Sequence, residues 1–226
     1  MRCTLYVGNK NYSSWSLRPW LCLRWAKIPF AERELRLDQL GYGRHAIEEV
    51  LNVSPNGRVP CLHADGHAIW DSLAIAEWAA EEKPDARLWT VDRQTRAEAR
   101  SVTAEMHAGF ECVRRDLPMN IRRRVAAQNW RDETRAEIAR IEAIWGGLRT
   151  RNKSAGPWLF GTRTIADAFY APMATRMRTY GVALSAPAQS YCDAVFADAD
   201  FKAWEAASLA NSWDKSGYPV IDNLYT

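Results

Sequence analysis

The stretch from Val59 to Ser72 reads V-P-C-L-H-A-D-G-H-A-I-W-D-S, and the rest of the chain is organised around it. A proline at the start of a strand removes no ladder hydrogen bond, and D-G between two short apolar runs signals a tight hairpin turn. The D-S pair then opens a helical pattern through Leu73, Ala74, Ile75 and Trp78. Rigid backbone therefore lies beside a helix N-terminus, whose free N–H groups and positive dipole end suit a carboxylate. Such a place either holds a small acidic molecule or is plain scaffold, a hairpin packed under a helix. V-P, D-G and D-S are each common punctuation, so the stretch alone does not choose.

Composition narrows the class. The 226 residues are 47% hydrophobic and include eleven Trp, enough for a large core in one big domain or two small ones. No apolar run approaches the roughly 20 residues that span a bilayer, and M-R-C-T-L-Y-V-G lacks the apolar stretch of a signal peptide, so a soluble cytosolic chain without a membrane partner is expected. The five cysteines (Cys3, Cys22, Cys61, Cys112, Cys192) never fall as C-x-x-C, which points to free thiols and to neither a disulfide framework nor a metal site. A net charge of +3 spread over 30 basic and 27 acidic residues gives no support to nucleic-acid binding. Arg122, Arg123 and Arg124, with Arg114 and Arg115 upstream, read most simply as a solvated helix face, or as the border of an anionic pocket.

Two regimes follow one another along the chain. Residues 1–83 alternate short strand-like and helical patterns in the order β-α-β-α-β-β-α, a small mixed sheet with helices on its faces. This half resembles a thioredoxin-like domain. Residues 84–91, opening at Pro84, read as a linker, and residues 92–226 turn to helical periods. Val102, Met106, Phe110, Val113 and Leu117 predict one long amphipathic helix, and Ile138, Ile141, Trp145 and Leu148 a second that ends at Gly146-Gly147 and N-K-S-A-G-P. Thr164 and Asp167 have the spacing of a capping box. Tyr191, Val195, Phe201 and Trp204 suggest one more packed helical segment before a tail with no regular period.

V-P before a hairpin, D-S opening a helix and, further on, G-T-R-T-I-A-D, in this order and at these distances, resemble the cytosolic glutathione transferases from about Thr4 to Trp204. The resemblance implies glutathione as co-substrate, no metal, and a homodimer. It places the cysteinyl part of glutathione on the backbone of Val59 beside a cis Pro60, with Arg58 adjoining, and the γ-glutamyl end on Asp71 and Ser72. A free thiol has a pKa near 8.5, so a transferase must favour the thiolate at the sulfur. N-Y-S-S-W-S-L-R-P-W resembles the S-S-x-S-x-R stretch of the serine-type classes, zeta in particular, and puts that task on Ser13 or Ser14. Proline suits a helix's first turn, which assigns Ser16 to capping ahead of Pro19.

Departures from the zeta pattern limit what carries over. The arginine that zeta isomerases use falls on Thr179, with Arg178 adjacent, which puts isomerase activity in doubt. Arg163 replaces the usual apolar residue before the capping Thr164, and Trp15 replaces a small residue, where it either packs or borders the second substrate. Met106, His107 and Phe110 are expected to meet that substrate. The reading is a glutathione transferase that attacks an electrophilic small molecule; a non-catalytic binding protein on the same fold and a zeta-like isomerase are the alternatives.

Overall fold

The computed structural model describes residues 2–37 and 45–210; residues 212–226 of the tail lie outside the described residues. Four strands, β1 (Cys3–Val7), β2 (Ala31–Glu34), β3 (Cys61–Ala64) and β4 (His67–Trp70), form one sheet in the order β2-β1-β3-β4, with β1 and β2 parallel and the other pairs antiparallel. Asp65 and Gly66 both take positive φ between β3 and β4, the mirror-image turn that matches strand twist. Helices α1 (Ser14–Trp25), α2 (Glu48–Leu51) and α3 (Ser72–Glu82) complete a thioredoxin-like half, in the element order that the sequence predicts. Leu5, Leu17, Leu21, Leu62 and Ile75 are fully buried between sheet and helices.

The remainder is helical: α4 (Arg93–Ala108), α5 (Glu111–Asp116), α6 (Asp132–Asn152), α7 (Ile165–Thr179), α8 (Ala186–Ala197) and α9 (Ala199–Ala210). The capping box forms as spaced. Asp167 is wholly buried, and its Oδ2 accepts from Thr164 N–H and Thr164 Oγ1, both at 2.8 Å, while its Oδ1 accepts from Leu159 N–H at 3.0 Å. Arg163 supplies no apolar staple; it pairs with Asp198 and lies over Trp25.

Several expectations give way. The helix predicted from Val102 to Leu117 breaks at Gly109, and Phe110 turns left-handed (φ 62°) before α5, so one apolar stripe serves two helices. Gly146-Gly147 does not end α6, which runs on to Asn152 because Trp145 and Leu148 are buried on either side of the pair. The expected last segment is two helices, parted at Asp198, whose Oδ1 accepts from Asp200 N–H and Phe201 N–H. Within residues 84–91, Leu88 and Trp89 are buried and Trp89 Nε1 donates to Glu77. Arg122–Arg124 do not form a solvated helix face: they lie in irregular chain, where Arg122 donates to Ser208 O and Arg124 to Ile121 O.

Ser16 does not cap α1. The helix starts at Ser14, Ser13 occupies the cap position without a side-chain cap, and Pro19 lies inside the helix. An interior proline costs about 3 kcal/mol, but Leu17, Leu21, Cys22 and Leu23 are all fully buried around it, and tertiary packing decides the helix's course.

The two halves meet around the loop between β1 and α1. Asn11 Nδ2 donates to Asn120 Oδ1 at 2.9 Å, Asn11 Oδ1 accepts from Arg122 N–H at 3.0 Å, and Lys10 O accepts from Trp204 Nε1 at 2.9 Å. The helical half thereby fixes the loop that carries the serines.

Candidate active site

The rail begins at Val59–Pro60, a cis bond as the resemblance implies, immediately ahead of β3. Arg58 is exposed, and its Nε donates to His45 Nδ1 at 3.2 Å. Cys61 offers no nucleophile of its own: burial pushes its thiol up, and Sγ donates to Val53 O at 3.2 Å.

Gly8, the first residue after β1, brings the rail and the serines together. A Cβ there would stand 3.2 Å from Ser13 Oγ, 3.2 Å from Val59 Cγ2 and 2.8 Å from Leu37 Cδ1. Ser13 Oγ and Val59 thus flank one small space at the N-terminus of α1. Gly8 N–H donates to Ser16 Oγ at 3.1 Å, and Ser13 Oγ donates to Ser16 Oγ at 2.7 Å, a pairing whose direction rotation of the two hydroxyls can reverse. Ser16 accepts from the backbone and retains a hydroxyl proton of its own. Pointed at Ser13 Oγ, that proton frees the Ser13 proton to face a sulfur, because hydroxyl rotors turn to suit their partners.

Ser14 faces the other way. It is buried, and its Oγ accepts from Arg176 Nη2 of α7 at 3.3 Å. The two serines therefore serve different surroundings, Ser13 the rail and Ser14 the helical half.

Asp71 caps α3, its Oδ1 accepting from Leu73 N–H at 2.7 Å, with a φ of 75° that non-glycine residues seldom adopt. Its Oδ2 lies 3.3 Å from His107 Nε2 of α4. Burial by itself would raise the Asp71 carboxyl, but the hydrogen bonds from His107 and Leu73 outweigh it and hold the group below the usual carboxylate range. Next to it, the buried Ser72 Oγ has no partner among the described residues. An ionised carboxylate and a free hydroxyl at a helix N-terminus match an ammonium and a carboxylate on one carbon.

Of the residues expected to meet a second substrate, His107 does border the site: its ring stands edge-on to Trp15 at 5.4 Å and tilted to Phe169 at 5.9 Å. Met106 and Phe110 are buried core. Thr179 is buried and donates to Asn120 O at 2.8 Å, and Arg178 pairs with Glu205 and stacks on Phe196, so neither stands in for the zeta arginine. Arg176, one turn earlier, is the arginine that reaches the serines. Nothing in the sequence beyond its residue type marks Arg176, whereas Arg18 is the arginine of the S-S-x-S-x-R stretch, to which the sequence reading gives no role.

A thioredoxin-like half with a cis-proline rail, an acidic helix cap and serines at the domain junction defines the glutathione transferase architecture. The chain belongs to the glutathione S-transferase family: residues 12–82 match the family's N-terminal domain and residues 124–221 its C-terminal domain. It is 28% identical over 186 residues to the maleylacetoacetate isomerase of Pseudomonas aeruginosa, covering 80% of this chain and 84% of that one. To the rat maleylacetoacetate isomerase it is 27% identical over 189 residues, 80% of this chain and 81% of that. A Burkholderia glutathione transferase homologue with bound glutathione shares the fold, with a TM-score of 0.69 at 22% identity over 93% of this chain and 99% of that one.

Proposed function

We propose that the chain is a glutathione transferase of the serine type. Glutathione lies along Val59 and Pro60, its γ-glutamyl end sits on Asp71 and Ser72, and Ser13 donates to its thiolate. The thiolate attacks an electrophilic small molecule at the junction of the two halves. The observation that carries the reading is the convergence of Ser13 Oγ and Val59 on the space beside Gly8, with Ser16 behind Ser13 to relay the proton's orientation. The N-terminus of α1 adds favourable potential for a negative sulfur. Arg58, exposed and engaged with His45, has the weakest support among the expected contacts.

Turnover of 1-chloro-2,4-dinitrobenzene with glutathione tests the reading: activity that Ser13→Ala reduces supports it. Glutathione binding without turnover of this or any other electrophile or peroxide favours a binding protein instead. The names of the isomerase relatives motivate a second activity, glutathione-dependent isomerisation of maleylacetoacetate, which an assay with that compound checks directly. The resemblance further implies a cytoplasmic homodimer acting in detoxification; sedimentation at equilibrium checks the dimer.

A further inference from the structure

Ser13 belongs to neither β1 nor α1 but ends the irregular loop between them, residues 8–13. Inside that loop the Asn9 carbonyl accepts from Ser13 N–H at 2.8 Å, and Asn9 Oδ1 accepts from Asn11 N–H at 2.9 Å. Whatever holds Lys10 and Asn11 therefore holds Ser13. Lys10 is buried, and its ammonium pairs with Glu32 Oε1 of β2 at 2.6 Å while lying 5.7 Å from the Trp20 ring centre and 5.2 Å from that of Trp204. Glu32 Oε2 accepts from Trp20 Nε1 at 2.6 Å, the Trp20 and Trp204 rings stand edge-on at 5.3 Å, and Trp204 Nε1 donates to Lys10 O at 2.9 Å. The sheet, α1 and α9 are thus tied through one lysine.

Asn11, the next residue, is held by the chain between α5 and α6. Its Nδ2 donates to Asn120 Oδ1 at 2.9 Å, its Oδ1 accepts from Arg122 N–H at 3.0 Å, and its carbonyl accepts from Ile121 N–H at 3.3 Å. Asn120 in turn is fixed to α7, its carbonyl accepting from Thr179 Oγ1 at 2.8 Å. Asn9, Lys10, Asn11, Asn120 and Trp204 are all buried. Hydrogen-bonded side chains in a low dielectric rigidify the backbone they hold, and misplacing a reacting group by about 1 Å can cost about a hundredfold in rate.

We propose that Asn120 and Trp204, both of the helical half, are positioning residues for the thiolate: through Asn11 and Lys10 they set the place of Ser13 Oγ. The bond from that hydroxyl to a negative sulfur is charge-assisted, and its strength depends on distance and alignment. The acidity of bound glutathione therefore depends on how α9 and the α5–α6 connection pack against the loop, more than a hundred residues along the chain from Ser13. The two pins hold consecutive residues, so losing either one lets the loop shift and weakens the bond without removing the hydroxyl. This inference rests on the reading of Ser13 as the donor to the thiolate.

The test titrates the ultraviolet absorbance of the thiolate in the binary complex with glutathione, which needs no electrophile, in wild type, Ser13→Ala, Trp204→Phe, Asn11→Ala, Asn120→Ala and the double Asn variant. Trp204→Phe keeps a ring against Trp20 and removes only the donor, and a cooperative melting transition checks that each variant folds; if the Asn variants do not, Trp204→Phe decides alone. The midpoint should rise by about half a unit to one unit in Trp204→Phe and in each Asn variant, part of the rise in Ser13→Ala. The double variant should rise no further than the larger single one, because both substitutions remove the same bond. Arg24→Gln breaks a different contact between α1 and α9, the pair with Asp200, and should leave the midpoint in place. Where Ser13→Ala raises the midpoint, an unmoved one in Trp204→Phe or in the folded Asn variants overturns the proposal. Rises that add in the double variant, or an equal rise in Arg24→Gln, overturn it too. An unmoved midpoint in Ser13→Ala fails the Ser13 reading, and no bound-thiolate signal in the wild type fails the transferase reading; either takes the proposal with it.

Discussion

Replacing Ser13 by alanine should raise the pKa of the bound glutathione thiol. Ser13 Oγ is the hydroxyl that shares the space beside Gly8 with the Val59 rail, and Ser16 Oγ stands 2.7 Å behind it. A hydrogen bond to a charged acceptor contributes roughly 1.5–3 kcal/mol. At 1.36 kcal/mol per pKa unit this is a shift of about 1–2 units. The sign follows from which form is bonded: the thiolate loses a donor, so the protonated form gains and the pKa rises. The pH profile of kcat/KM with 1-chloro-2,4-dinitrobenzene reads the thiol of bound glutathione, and its rising limb should move to higher pH by that amount in Ser13→Ala. Ser16→Ala should move it by less, because Ser13 keeps its own proton. Ser14→Ala should leave the limb in place, since that hydroxyl is turned to Arg176. A limb that moves in Ser14→Ala and stays put in Ser13→Ala would refute the assignment.

Gly8→Ala should weaken glutathione binding, because the added methyl presses on Ser13 Oγ and Val59 Cγ2 at 3.2 Å; titration of the variant checks it, and wild-type affinity would mean that the rail lies elsewhere. Asp167→Ala orphans Leu159 N–H, Thr164 N–H and the Thr164 hydroxyl, and at about 1 kcal/mol or more for each it should lose about 3 kcal/mol or more in denaturant unfolding. Burial raises the Asp167 carboxyl to about 6, so the folded state binds a proton more tightly than the unfolded one. Its contribution is therefore full below about pH 4 and is lost as pH rises through 6, a loss on the order of 3 kcal/mol. The gap in unfolding free energy between wild type and Asp167→Asn should close or reverse accordingly from pH 4 to 7; a gap constant across that range contradicts the raised value.

Features written in contiguous residues were legible in the sequence. V-P, D-G and D-S mark the strand entry, the turn and the helix start because each residue type has a backbone preference of its own. Thr164 and Asp167 close their box within one turn for the same reason. Where sequence reading failed, distant packing overrode a local signal. The stripe from Val102 to Leu117 keeps its period across Gly109 because both helices bury the same side, which hides the left-handed Phe110. Pro19 looked like a first-turn residue, but the buried leucines around it hold the helix open to Ser14. Arg18 and Arg114 both lie over the Trp15 ring while Arg176 reaches Ser14, from three separate helices, and spacing within any one of them carries no trace of the meeting. The zeta pattern pointed to Thr179, one turn from the arginine that touches Ser14.

Calorimetric titration of glutathione into the wild type and into Asp71→Ala tests the central claim most directly. The account predicts one saturable site per chain in the wild type and an affinity weaker by about tenfold or more in the variant, which loses a carboxylate bonded to the ligand's ammonium. No heat from the wild type at millimolar glutathione, or equal affinity in both proteins, would contradict it.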